Sequence, residues 1–511
     1  MIRYYDPEDI RQADVLAVTK FGFSSLRLMD NAGTNAAREV LKNYPEALSF
    51  LIFAGPGSNG GDGFVAARFL LEKGLKVTLI LSTYREKYSG DARASLDALI
   101  ELKDPNCSIK CSLDLSDNEI YDETVRADCL IDALLGTGSK GAPRNEISRL
   151  IRFCNKNGAV VSFDIPSGID PFTGNIYDPC VMADLTVTFL AAKKGMCCYP
   201  ASAACGTVKT ADIGISPDKA LEDKPYISSF DRNDISLLLP PVKIDTHKGQ
   251  KGGLLILGGS AHYRGAPLLA GLGALRSGAG LVVLALPDFM VDSASLFLPE
   301  AIFLPLRTKG EMIVPECIPE AISIWEKRCG AAVIGPGLGR NEGSGSVVSW
   351  FWNNWDKPLL ADGDALYYLQ IAKNRPLFRK ETLITPHCGE AASILGTSPE
   401  EINSDRISSV TAMSEISETV LLKGLDTLVC TKGGNVTIIK EGSPALAVPG
   451  SGDVLSGAVG ALMASGIRVC DATLIGAAAH GAAGSLLEKK YGSRGALARE
   501  IADALPYTLN H

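Results

Sequence analysis

Gly450-Ser451-Gly452-Asp453 stands directly before Val454 to Leu462, a run of small and apolar residues that reads as a helix. The free N–H groups at the start of such a helix, together with its dipole, form an anion hole suited to a migrating phosphoryl group. Asp453, in the first turn, is placed to accept a proton from an attacking hydroxyl. Ser-Gly-Asp is also a common N-terminal cap. Four residues in this order, ahead of a Gly/Ala-rich helix in an α/β half, favour chemistry over capping. Nearby, Lys423-Gly424-Leu425-Asp426-Thr427 leads into the strand-like Leu428 to Cys430 and the hairpin-like Thr431 to Asn435. Lys423 and the loop amides suit a nucleotide's phosphates, with a solvated turn as the alternative. Gly335-Pro336-Gly337-Leu338-Gly339 follows another strand and allows close backbone approach, and Thr385-Pro386-His387-Cys388-Gly389-Glu390 puts His387 at a strand end. A lone histidine is usually structural, and Glu390 is partly a helix-start signal.

The first half carries a different set. Gly55 to Gly63 (GPGSNGGDG) lies between a strand and a helix, where glycines bring main-chain N–H groups close to a ligand. Within it Asn59 and Asp62 add side-chain oxygens, which suit a cation or a polar ligand. Asp132 ends an apolar strand that runs into Gly136-Thr137-Gly138-Ser139-Lys140-Gly141-Ala142, and Asp164 ends another, before Ile165-Pro166-Ser167-Gly168. Either carboxylate can be a turn former. Asp164 is the stronger candidate acid/base, because apolar neighbours are expected to desolvate it and raise its pKa.

The elements that must position these groups alternate between strand and helix. Ser49 to Ala54, Lys76 to Leu81, Cys129 to Leu135, Ala159 to Ile165 and Asp184 to Leu190 read as buried parallel strands, with a helix over Phe64 to Glu72. The pattern dissolves near residues 216–232, which reads as a linker, and restarts with Gly253 to Leu257, the helix Pro267 to Arg276 and Leu281 to Leu286. Ala331 to Ile334, Pro358 to Ala361 and Thr382 to Thr385 are further strands, and the tail is helical. The expected fold class is α/β: two three-layer αβα domains over residues 1–220 and 233–511, with ligands at the carboxyl ends of the strands.

A chain of 511 residues fits two or three domains. Its net charge of -8 argues against a nucleic-acid binder, which would show a basic face. The apolar runs are too short to span a bilayer, and the start of the sequence does not read as a signal peptide. Thirteen cysteines, an odd number set in apolar segments, fit reduced thiols in a cytoplasmic protein. Cys107/Cys111 and Cys197-Cys198 lack a second pair at zinc spacing.

Leu28-Met29-Asp30-Asn31-Ala32-Gly33, the Ser58-to-Gly63 loop and Asp164-to-Gly168 together resemble the NAD(P)H-hydrate epimerase domain. The resemblance implies a Rossmann-like unit in which Ser58, Asn59, Gly60, Gly61, Asp62, Gly136 to Ala142 and Asp164 contact hydrated NAD(P)H. It also implies a potassium ion held by Asn59, Asp132 and Ser167, and Asp164 as the acid/base. Ser58 departs from the family's usual asparagine. From about residue 240 onward, the Asp453, Lys423, Gly337 and His387 segments, with His247-Lys248-Gly249 and Gly258-Gly259-Ser260, resemble the ribokinase-like NAD(P)H-hydrate dehydratase domain. That implies Ala274, Gly337, His387 and Asp453 at the substrate. Lys423, Gly424, Leu425, Asp426, Thr427 and Gly452 would then hold the adenine nucleotide. Here the glycine-rich approach to the aspartate is shortened to Ala447-to-Gly452, and Cys388 replaces the usual proline.

The two resemblances in this order imply a bifunctional repair enzyme. Asp453 would deprotonate the ring hydroxyl of the S hydrate, which attacks ADP or ATP with Mg²⁺ assisting, and phosphate would then leave to restore NAD(P)H. The epimerase would feed the R form into the same step. A homo-oligomer, with no nucleic-acid or membrane partner, goes with the family. Two other readings stand beside this one: a small-molecule kinase, whose mark would be a stable phosphorylated product, and a non-catalytic scaffold, whose mark would be binding without turnover.

Overall fold

The computed structural model describes residues 2–242, 244–245, 249–374 and 376–510. Of His247-Lys248-Gly249, only Gly249 lies within the described residues. The chain forms two compact units, Ile2–Ile227 and Ser228–His511.

The N-terminal unit is built on seven parallel strands in the order Cys107–Cys111, Lys76–Leu81, Ser49–Ala54, Cys129–Ala133, Val160–Phe163, Leu185–Phe189 and Thr207–Ala211. Phe50, Ile52 and Ala54 face one apolar cluster, while Leu51 and Phe53 face another. Both faces of the sheet are therefore covered, which is why Ser49–Ala54 is an unbroken apolar run with no alternation. Strand order reverses between Ser49–Ala54 and Cys129–Ala133. The loops after these two strands consequently leave in opposite directions and open a crevice at their carboxyl ends.

In the C-terminal unit the parallel strands run Ile302–Leu306, Leu281–Pro287, Gly253–Leu257, Ala331–Ile334, Leu359–Ala361, Arg379–Ile384 and Ser417–Leu422. Thr427–Thr431 and Val436–Ile439 then continue the sheet antiparallel, as the hairpin-like Thr431-to-Asn435 turn requires. The order reverses between Gly253–Leu257 and Ala331–Ile334, giving this unit its own crevice. Both units are thus α/β with helices packed on a mainly parallel sheet.

The residues 216–232 depart from the expected linker. They hold a short helix, Pro217–Ala220, and a strand, Tyr226–Phe230, whose Ile227 and Phe230 are buried. Ser-Pro-Asp-Lys, read as loop chemistry, is a helix start with proline at its first position. No helix among the described residues is long and apolar enough to cross a membrane.

The helix Ser451–Ala464, which carries Asp453, lies in backbone contact with Ala266–Arg276. A Cβ at Gly457 would come 1.8 Å from the Ala270 carbonyl oxygen, and one at Gly273 would come 2.4 Å from that of Val454. Neither neighbour is a side chain that can turn aside. Gly457→Ala is therefore expected to destabilise the C-terminal unit by about 1–3 kcal/mol, the usual range for overpacking. A denaturation midpoint equal to that of the parent chain would contradict this contact.

Candidate active sites

The N-terminal crevice is a cavity of about 590 Å³. Ser58 and Asn59 open the helix Ser58–Glu72, whose first N–H groups have no intrahelical partner and point into it. Leu134 to Ser139 form the facing wall, with Asp164 and Lys193 beyond. Gly136 is small because Asp164 is close: a Cβ there would come 2.8 Å from Asp164 Oδ2.

Asp164 has φ of 66°, a left-handed conformation that is strained for an aspartate and typical of functional sites. Its Oδ2 accepts from the Thr137 N–H at 2.8 Å, and its Oδ1 pairs with Lys193 Nζ at 2.5 Å. Lys193 is 1% exposed and also donates to Thr188 Oγ1 and the Phe189 carbonyl. The carboxyl expected to be simply desolvated therefore faces a buried ammonium, and the two form one unit. Lys193 was not singled out in the sequence. Its signal is a lysine pair, Lys193-Lys194, directly after the apolar Leu190-Ala191-Ala192.

Behind this pair, Asp132 is fully buried and accepts from Ser162 Oγ, the Ser167 N–H, Ser167 Oγ and the Leu134 N–H. Ser167 Oγ in turn accepts from the Leu135 N–H. Burial pushes the Asp132 carboxyl up, against these donors. Asn59 Nδ2 donates to the Leu135 and Phe163 carbonyls, while its buried Oδ1 has no partner. The structure thus brings together Ser58, Asn59, Asp62, Gly136, Thr137, Gly138, Ser139 and Asp164 around one cavity.

Three expectations change. Gly60 and Gly61 do not line the cavity: a Cβ at Gly60 would meet the Gly55 carbonyl at 1.9 Å, and one at Gly61 the Met29 sulfur at 2.5 Å. Their smallness serves the seating of the helix. Lys140, Gly141 and Ala142 are exposed and lie past the lining. In the other unit Ala274 is fully buried in the apolar core, so it presents no surface to a ligand.

The C-terminal crevice is organised by Asp362, which the sequence reading did not single out although it too ends an apolar strand, Leu359–Ala361. Its Oδ1 accepts from Lys423 Nζ at 2.8 Å and Thr385 Oγ1 at 2.7 Å, and its Oδ2 from Ser456 Oγ at 2.6 Å. Burial works to raise this carboxyl, but Lys423 and the two hydroxyls outweigh it and hold it below the ordinary carboxylate range. Lys423 also lies 3.8 Å from Glu390, and a Cβ on Gly452 would come 3.4 Å from its ammonium. The lysine therefore sits at the mouth of the Asp453 helix, engaged with charge; it is not on a solvated turn.

Asp453 is the third residue of that helix and caps nothing; the cap is Gly450, with φ of 87°. Burial, helped by the negative charge of Asp362 and resisted by Lys423, pushes Asp453 up to about 7. Glu390 is likewise raised to about 7, by burial first and against Lys423. One ammonium thus faces three carboxyls, and the two left without its full share hold their protons into the neutral range. His480, lowered to about 4 mainly by burial, stays neutral and anchors Ser451 through its hydroxyl and carbonyl.

His387 caps the helix Cys388–Leu395: its Nδ1 accepts from the Gly389 and Glu390 N–H groups, which leaves the proton on Nε2. Its pKa is lowered by burial and by Lys423. Asp364 accepts from the Gly339 N–H and Arg340, tying the Gly335-to-Gly339 loop to the end of Leu359–Ala361. Of the expected nucleotide contacts, Asp426 accepts from Lys440 through its carboxylate and Leu425 is 67% exposed.

Two family models match the chain: YjeF-related protein N-terminus over residues 25–195 and NAD(P)H-hydrate dehydratase over residues 254–507. The bifunctional NAD(P)H-hydrate repair enzyme Nnr of Thermanaerovibrio acidaminovorans is 36% identical over 501 residues, covering 98% of this chain and 96% of the relative. Its counterpart in Escherichia coli is 34% identical, covering 98% and 93%. Among solved structures, the ADP/ATP-dependent NAD(P)H-hydrate dehydratase from Bacillus subtilis, co-crystallised with ATP/Mg²⁺, is 27% identical and aligns with 55% of this chain and 97% of its own, at a TM-score of 0.47. With two domain models in sequence and relatives matched end to end, the chain belongs to the bifunctional NAD(P)H-hydrate repair enzymes.

Proposed function

We propose that the N-terminal unit interconverts the R and S forms of hydrated NAD(P)H and that the C-terminal unit dehydrates the S form at the expense of ADP or ATP. The observation that carries the second half is Asp453: a carboxyl held near 7, in the first turn of a helix with free N–H groups, beside Lys423. Asp453 takes the proton from the ring hydroxyl, whose oxygen attacks the terminal phosphoryl group. Lys423, Gly452 and the Gly424-to-Thr427 backbone hold the phosphates, and Gly337 and His387 hold the substrate. The C–O bond then breaks with phosphate as leaving group, the ring nitrogen's lone pair forming an iminium, and loss of a proton from the adjacent ring carbon to water re-forms the C=C bond of NAD(P)H and returns the pair to nitrogen.

Mg²⁺ fits this crevice as a companion of the nucleotide. Among the described residues no group of three or more His, Cys, Asp or Glu side chains is arranged to hold a metal, and Mg²⁺ commonly binds through one or two carboxylates plus phosphate oxygens. Glu390 would supply such a carboxylate, and the ion would neutralise charge on the transferring group. In the N-terminal unit K⁺ fits the unpartnered Asn59 Oδ1, which needs a donor or a cation. Asp132 and Ser167 would complete its oxygen ligands, and the ion would fix the Leu135 and Phe163 carbonyls beside the substrate loop. Thirteen free thiols favour a reducing setting, the cytoplasm.

Only the ionised form of Asp453 can accept a proton. With its pKa at about 7, dehydration of pure S hydrate is expected to rise with pH through neutrality and level off above it. A rate flat from pH 5 to pH 9, about two units either way of such a group, would contradict the assignment. The deciding experiment mixes both NADHX epimers with the chain, Mg²⁺, K⁺ and either nucleotide. Recovery of nicotinamide absorbance by the whole pool is expected. Recovery halting partway would remove the epimerase, and accumulation of a phosphorylated product would make the enzyme a kinase.

A further inference from the structure

The epimerase cavity contains a carboxyl that neither the loop motifs nor the Asp164–Lys193 pair accounts for. Asp14 lies on the helix Pro7–Thr19 and lines the cavity together with Asp62, Asp164 and Lys193. It accepts no hydrogen bond among the described residues, and its carboxyl is open to the cavity. Helix Pro7–Thr19 is amphipathic and buries Ile10, Ala13 and Ala17. Asp14 follows Ala13 directly, so it is held at the edge of the packed face, partly exposed and among the residues that line the cavity.

We propose that Asp14 is a second catalytic acid–base residue of the epimerase, exchanging a proton with the ring hydroxyl from one element while Asp164 serves from another. This rests on the epimerase reading of the cavity. In the forward step Asp14 gives its proton to the hydroxyl oxygen. The C–O bond breaks, water leaves, and the ring nitrogen's lone pair forms the C=N bond of an iminium. Water then adds to the opposite face of that carbon, its proton passing to the Asp164 carboxylate, and the C=N pair returns to nitrogen. One water leaves and one enters, so the product is the other epimer. Return of the proton from Asp164 to Asp14 through water in the open cavity resets the pair.

The charges around Asp14 suit a group that holds a proton more readily than an ordinary carboxyl. Lys193 is the cation acting on it and Asp164 the anion, while Asp62 from the helix Ser58–Glu72 faces the same cavity as a carboxyl that burial keeps protonated, and Arg11 on its own helix pairs with Glu8. Burial, with the negative charge of Asp164 adding to it and Lys193 opposing it, places Asp14 at about 6. Burial keeps Asp62 well above the usual carboxylate range. One cavity thus holds two carboxyls, one paired to a lysine and one not, an arrangement that can divide acid from base.

The test uses the full chain with purified R-NADHX, in water and in ¹⁸O-labelled water. The parent chain is expected to interconvert the epimers and place label in the product hydroxyl. Asp14→Asn is expected to lower kcat at least about 100-fold, the lower range for loss of a general acid, with KM within about threefold. Dehydration of pure S-NADHX should not change, and Asp14→Glu should restore activity to within about tenfold of the parent. The parent kcat/KM profile should carry an ionisation at about 6 that Asp14→Asn removes. A parent chain that does not interconvert epimers sinks the epimerase reading itself. A parent that does, alongside an Asp14→Asn variant with unchanged kcat, or with its whole loss in KM, overturns the role of Asp14 alone, as does epimerisation without label. Should Asp14→Asn unfold the unit, Asp14→Glu carries the test, and a pH profile identical to the parent's overturns the proposal.

Discussion

Asp453→Asn is expected to lose ADP- and ATP-dependent dehydration of S-NADHX by at least about 1000-fold in kcat, within the range for loss of a positioned base, while epimerisation proceeds at the parent rate. The amide keeps the size of the carboxyl and cannot take a proton. Phosphate binding should survive, because Lys423 remains paired with Asp362 at 2.8 Å and the helix N–H groups are unaffected. KM for the nucleotide should then change little, the pattern of an interaction needed only in the transition state. The variant should also fold at least as well as the parent at pH 8. A carboxyl raised to about 7 by burial and by Asp362 is a charge the folded state holds at a cost, and the amide removes it. Consumption of S-NADHX at the parent rate would refute the assignment, and loss of activity together with loss of folding would contradict this account of the burial.

Asp164→Asn is the second large effect, and it acts on both activity and stability. Epimerisation should fall about 100- to 10,000-fold, as for other general acid–base residues. A mixture of epimers would then be repaired only as far as its S fraction, with pure S substrate processed normally. The same change leaves the Lys193 ammonium, 1% exposed, without its counter-charge. Removing one partner of a buried pair typically costs about 3–5 kcal/mol, so the N-terminal unit should unfold at lower denaturant. The double variant Asp164→Asn, Lys193→Met separates the two effects: it is expected to regain stability and to remain without epimerase activity. Regained activity in the double variant would make Asp164 a structural counter-ion only.

Most of the framework was legible because buried parallel strands are written as apolar runs. Ser49–Ala54, Lys76–Leu81, Gly253–Leu257 and Ala331–Ile334 begin and end where their composition changes. Strands that lie at a sheet edge were missed. Cys107–Cys111 is only half-buried along its length and Thr207–Ala211 is mostly exposed, so neither needs an apolar run. The Gly335-to-Gly339 loop is a loop as read, but Ser58 to Gly63, read as a loop before a helix at Phe64, already belongs to the helix Ser58–Glu72, and sequence does not say which way each glycine faces. Gly136 clears space for Asp164, whereas Gly60 and Gly61 clear space for the backbone and side chains behind their helix. Aspartates at strand ends are legible at Asp132 and Asp164 and were missed at Asp362, whose strand, Leu359–Ala361, is only three residues long. Lys193 and Asp14 carry no local signal of comparable strength, since what makes them functional candidates is a neighbour far away in sequence. Asp164 lies 29 residues before Lys193 and 150 after Asp14, as their numbers show.

The contact between the helices Ser451–Ala464 and Ala266–Arg276 bears on how this protein tolerates change over time. Gly457 and Gly273 meet main-chain atoms, so the seam has no side chain whose rotation could absorb an added methyl group. Elsewhere in the core a larger residue on one element can be answered by a smaller one on the next. Along this seam no such trade exists, and the surface reached by the seam is the anion hole itself. Sequence drift here is confined to glycine, and a lineage that lost one of these glycines would have to move a helix, and Asp453 with it, to recover.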